Sequence, residues 1–139
     1  MRFLKKALPL FLTLALCIAG CKRDDKDPAT ASRDNFIGTW QCDEYGANQQ
    51  LLATFQVEII ANPNDAAKVL ISNFNLRGQG NQATGIIENT SITIQQQLVS
   101  STTVSGSGFI TNNYTTIELQ YIVDDGSGPE NITATYTKL

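Results

Sequence analysis

The sequence contains no histidine, and its 139 residues include three cysteines, one tryptophan and one methionine. Without an imidazole there is no Ser-His-Asp triad, no histidine-activated thiol and no histidine-bound zinc. No enzymatic activity, cofactor or metal is therefore expected. Cations are also scarce. All thirteen acidic residues lie after Cys21, while three of the ten basic ones precede it, so the chain from Cys21 onward sets seven cations against thirteen anions, a balance of −6. An acidic segment whose cations are as scattered as Lys68, Arg77 and Lys138 lacks the electrostatic footprint of a nucleic-acid binder. Apolar runs are short as well. Ala7–Ala19, broken by Thr13, spans about a dozen residues where a membrane-crossing helix needs about 20.

That run nevertheless has a clear role. Arg2, Lys5 and Lys6 precede it, as in the basic region of a secretory signal peptide. It ends in Ile18-Ala19-Gly20-Cys21, which resembles the bacterial lipobox: an aliphatic residue, two small residues that let the peptidase grip an extended backbone, and the cysteine that takes the lipid. Residues 1–20 are thus expected to be a lipoprotein signal peptide, and Cys21 the lipidation site carrying diacylglycerol and palmitate-type chains. An ordinary secretory peptide with a fortuitous cysteine is the alternative. Cys17 is a poorer candidate because Leu16 stands where the small residue belongs. Each buried methylene contributes about 0.8 kcal/mol, and two or more acyl chains anchor stably.

Lys22-Arg23-Asp24-Asp25-Lys26-Asp27 follows directly, and Pro28 to Asp34 offers no large apolar residue. Residues 21–34 are expected to be the lipidated cysteine and a solvated, flexible tether. About a dozen residues at roughly 3.3 Å each reach about 40 Å from a bilayer. The charged stretch resembles the export signal of lipoproteins displayed on some Gram-negative cells. As a plain spacer it would leave the protein facing the periplasm. Both placements put the chain at an outer membrane.

From residue 35 the pattern is alternation. Phe55, Val57 and Ile59 share one face of Thr54–Ile59. Ile92 and Ile94, then Ile117, Leu119, Tyr121 and Val123, then Ile132, Ala134 and Tyr136 repeat it, and Lys68–Phe74, Thr84–Glu88 and Val104–Thr111 read as further strands. Gly106 and Gly108 permit a bend or bulge. Turn residues lie between the runs, at Asn62-Pro63-Asn64-Asp65, Glu88-Asn89-Thr90 and Asp124-Asp125-Gly126-Ser127-Gly128-Pro129. The pattern predicts an all-β unit over 35–139, a small antiparallel barrel or alternatively a sandwich. Phe55, Ile59, Ile71, Ile94, Leu119 and Tyr121 are expected to point inward. Cys42, the one thiol left beside the anchor and the leader, is expected to be a small buried side chain. Asp124, Asp125 and Glu130 are expected to serve a solvated hairpin loop rather than calcium.

Phe36-Ile37-Gly38-Thr39-Trp40 resembles the opening Gly-x-Trp strand of lipocalins and their calycin relatives. With the later runs Val69–Phe74, Ser91–Ile94, Ser105–Gly108 and Ile117–Tyr121, residues 35–139 are similar to the calycin-like β-barrel domain of small bacterial lipoproteins. This resemblance implies a barrel with Trp40 plugging one end. Trp40 to Gly46 also resembles, locally, the aromatic-x-Cys of membrane-bound lysozyme inhibitors, although their second barrel cysteine is missing here.

Two functional classes follow from this reading. One is a non-catalytic interaction module that presents its outer surface to a protein partner. The other binds a small apolar or glycan ligand in the lumen. An eight-stranded barrel is barely wide enough for side chains or one small ligand, which favours the first. For the anchor the expected outcome is specific: Cys21→Ser abolishes fatty-acid labelling and leaves unprocessed precursor, whereas Cys17→Ser changes neither. Labelling that persists in Cys21→Ser refutes the lipobox.

Overall fold

Period-two patterning gives each strand one apolar face, and eight such strands curl until that face is enclosed. The structure is a computed structural model that describes residues 28–139. The expected signal peptide (1–20), Cys21 and the charged run 22–27 lie outside the described residues. A short helix α1 (Pro28–Asp34) precedes β1 (Gly38–Tyr45), β2 (Leu51–Ala61) and β3 (Lys68–Ser72). A 3₁₀ turn (Phe74–Leu76) leads to β4 (Gln82–Glu88), β5 (Ser91–Val99), β6 (Thr102–Ile110), β7 (Thr116–Asp124) and β8 (Glu130–Lys138). Every strand pairs antiparallel with its sequence neighbour, and β1 pairs with β8, giving a single closed up-and-down barrel. Closure runs from Trp40 opposite Lys138 to Tyr45 opposite Thr133. The sandwich alternative is thereby excluded.

The expected inward set is found inside. Ile59, Ile71, Ile94, Leu119 and Tyr121 are buried, and Phe55 is partly buried against the same core. Trp40, Cys42 and Tyr136 are fully buried with them. One end is closed by Trp40, whose indole N–H donates to the Phe36 carbonyl at 2.9 Å, with the Lys138 ammonium 5.2 Å from the ring centroid. Trp40 is the core plug that the resemblance implies.

Three local details differ from the expectations. Residues 28–34, assigned to the flexible tether, form α1, which packs on β4. Pro at the first helical position loses no bond, and the chain is tied down just beyond by Phe36, fully buried, whose amide bonds the Arg33 carbonyl at 2.9 Å. β3 ends at Ser72 rather than Phe74, because Asn73 turns left-handed with φ 61°. A two-residue turn at Ser100-Ser101, both with positive φ, joins β5 to β6 without the usual Asn or Gly.

Gly106 and Gly108 act by close approach. They point inward opposite Tyr121 and Leu119, and a Cβ at Gly106 would collide with the Gln120 carbonyl oxygen and the Tyr121 Cβ. The bulge itself lies on β5, where Gln95 and Gln96 oppose Ser105 alone. Beside it β4 and β5 pair only from Ile86 to Glu88, and the Gln97 side chain takes the place of a strand, accepting from Thr84 N at 2.8 Å and donating to Thr84 O at 2.9 Å. Gly106→Ala should therefore cost about 1–3 kcal/mol in urea unfolding through overpacking, whereas Gly80→Ala, with nothing within 4 Å, should be near neutral.

Candidate functional site

The inward row of β1 reads Trp40, Cys42, Glu44, so the barrel's alternation carries a carboxylate into the core. Glu44 is 4% exposed and lies near the end opposite Trp40. Its Oε1 accepts from the Tyr121 hydroxyl on β7, and its Oε2 accepts from Asn75 Nδ2 at 3.1 Å. Arg77 Nε donates to Asn75 Oδ1 at 3.2 Å, which links that guanidinium to the carboxylate through an amide. Phe74 lies on Tyr121 with ring centroids 4.7 Å apart. Tyr136 stands opposite Cys42 in the β1–β8 register, and its buried hydroxyl has no hydrogen-bond partner of normal geometry among the described residues.

Burial governs the protonation of this cluster. It pushes the Glu44 carboxyl above its ordinary value and outweighs the opposing pull of the Tyr121 and Asn75 hydrogen bonds and of the Arg77 charge. Burial, with the Glu44 charge beside it, also raises the Cys42 thiol, so no nucleophilic thiolate is available there. The Tyr121 and Tyr136 phenols are raised for the same reason, burial first. The cluster can hold a proton and fix side chains. Among the described residues, no group of three His, Cys, Asp or Glu side chains is arranged to hold a metal.

The chain matches no family model and no curated protein. Among solved structures it is similar to a redesigned β-barrel. The TM-score is 0.53 at 15% identity, over 78% of this chain and 95% of that one. The likeness extends to the fold alone.

Cys42 is a buried free thiol, as expected. In the β7–β8 loop, Asp124 accepts from Gly126 N at 2.8 Å and Asp125 from Ser127 N at 3.0 Å and Ser127 Oγ at 2.6 Å, so these carboxylates brace the loop's own backbone. The Ser127 bonds hold the Asp125 carboxyl below its usual range. The reading of the sequence did not single out Glu44, Asn75 or Arg77. The parity of Glu44 with Trp40 and Cys42 is the signal that marks it. Nothing comparable marks Asn75 and Arg77, which reach Glu44 only through the fold.

The pH dependence follows from the direction of the shift. A carboxyl with a raised folded-state pKa adds stability that is present below its ordinary value of about 4.5 and is lost as pH rises through the folded value. Glu44→Gln cannot ionise. It should melt higher than the wild type at pH 7 and close to it at pH 4, which thermal unfolding from pH 4 to 8 would check. Comparing the two proteins cancels the exposed carboxylates Asp65 and Asp125, whose opposite shifts are common to both.

Proposed function

We propose that this protein is a non-catalytic interaction module of the cell envelope, anchored through lipid on Cys21 at an outer membrane, whose outer wall meets a protein partner. One observation carries the reading: the barrel is filled by its own side chains. Trp40, Tyr136, Phe36, Phe74, Ile59, Ile71, Ile92, Ile94 and Leu119 are each less than 2% exposed, which leaves a lumen ligand to displace packed core. The calycin-like resemblance is compatible with this and transfers no ligand.

The outer wall supports the same reading. Shallow hollows of about 450 and 330 Å³ lie on it, both bordered by Ser107, Gln120 and Thr133. Phe109 (52% exposed) and Ile122 (44% exposed) stand at their margins. No Lys or Arg occurs between Arg77 and Lys138, so the wall built by β5, β6 and β7 carries no positive charge. A hydroxyl- and amide-rich surface without positive charge, edged by Glu118 and a few exposed apolar side chains, suits a protein contact better than an anionic polymer.

A full barrel and a hollow one respond differently to truncation. Leu119→Ala should cost about 2–5 kcal/mol in denaturant unfolding, and a long-chain fatty acid should leave the wild-type Tm unchanged. Native mass spectrometry of the protein taken from its own envelope should then show a co-migrating protein rather than a small molecule. A small loss with a fatty-acid-dependent rise in Tm makes lumen binding the correct reading instead.

A further inference from the structure

The β3–β4 connection crosses the barrel end that Trp40 does not close. It is held in an unfavourable backbone. Asn73, Asn75 and Leu76 have φ of 61°, 49° and 55°, in the left-handed region. Asparagine tolerates this region better than most side chains, and Asn73 is held by two side-chain bonds, accepting from Gly78 N at 2.9 Å within the connection and donating to Gln56 O on β2 at 2.8 Å. Leu76 has no such help, and at 58% exposed it gains little from burial. What holds the segment down is the residue pair before it: Phe74 buried on Tyr121, and Asn75 bonded to Glu44.

Glu44 has the opposite requirement. Among the described residues no cation forms an ion pair with it, and Trp40 and Phe36 close the far end of the barrel. The β3–β4 connection lies over the carboxyl through Asn75, and its rim meets the β7–β8 loop around a hollow of about 40 Å³ lined by Arg77, Val123, Asp125, Gly128 and Glu130. We propose that residues 73–81 are a lid whose opening is coupled to loss of the proton on Glu44. Closed, the lid seals the carboxyl in a place that favours its neutral form. Lifted, it hydrates the carboxylate, releases the left-handed residues and exposes Phe74 and Tyr121.

The groups facing Glu44 leave the coupling to this one proton. Tyr121 on β7, Tyr136 on β8 and Cys42 on β1 are all shifted upward by burial and stay neutral near pH 7. Asn75 does not titrate, and Arg77 places its guanidinium on the far side of that amide. Burial outweighs the attraction of Arg77, so the closed lid binds the proton more tightly than the open one. Opening then becomes easier as pH rises, by about tenfold per pH unit from the ordinary carboxylate value up to that of the closed state.

Amide hydrogen exchange of the full chain reads this directly. The amides of Leu76, Arg77 and Gly78 are bonded to Asn73 O, Phe74 O and Asn73 Oδ1 within the lid. Base catalysis alone raises exchange about tenfold per pH unit, so in the wild type these amides should gain about a hundredfold per unit within the window. In Glu44→Gln they should gain only about tenfold, with β7 amides alike in both proteins. Equal pH slopes in the two proteins, or lid and β7 amides exchanging together, overturn the proposal. If Glu44→Gln does not fold, Asn75→Ala decides: lid amides faster than wild type at every pH with β7 protection kept support the lid, and wild-type lid protection refutes it.

Discussion

Hydrogen bonding between β1 and β8 closes the sheet, and most of the molecule's character follows from that contact. A closed barrel removes the edge strands that can template aggregation, and where β4 and β5 do not pair the Gln97 side chain takes up the Thr84 amide and carbonyl. Closure also gives the alternating pattern a definite meaning, because one parity of every strand must face a space of fixed width. With eight strands that width is about what side chains fill. Bulk on one strand must then be matched by its absence on another, and Gly106 and Gly108 lie opposite Tyr121 and Leu119 for this reason. The same constraint makes the interior a packed core and leaves the ends and outer wall as the surfaces that can vary.

Fixed width also explains the irregular places. Where β4 and β5 stop pairing, a gap in the wall would leave the Thr84 amide and carbonyl unpaired, and Gln97 satisfies both with one side chain. The two ends are finished differently. At one, Phe36 and Trp40 supply apolar closure with a single internal hydrogen bond. At the other, a left-handed turn drives Phe74 inward and brings Asn75 down onto a carboxylate. The first end is built to stay shut, while the second depends on a titratable group.

Period-two alternation is a local signal, and it makes the strands, the inward set and the buried Cys42 legible, while the Trp40 plug is what the Gly-x-Trp resemblance implies. What was not legible depends on contacts distant in sequence. Seven residues of α1 are too few to display a helical period, and they are ordered by packing on β4 and by the Phe36 anchor. Ser100-Ser101 carries no Gly or Asn to announce a turn whose left-handed geometry the closed sheet imposes. Phe74 continues an apolar run and so reads as strand, yet it belongs to the turn. The Glu44 cluster joins β1, β7 and the β3–β4 connection across 31 and 77 positions of sequence, beyond the reach of any motif.

A buried carboxylate in so small a barrel needs a reason, because a Gln or Leu of similar size would avoid the desolvation cost. Stability does not supply one, since the raised protonation of Glu44 means that the fold works against its charge at neutral pH. Its two oxygens are taken up by Tyr121 and Asn75, and Phe74 lies on Tyr121 beside them. What remains is the bond from Asn75, which converts the protonation state of one interior group into the hold on the connection 73–81. For a protein whose interior is full and whose wall over β5 to β7 carries no positive charge, that end is where the surface can be made to change.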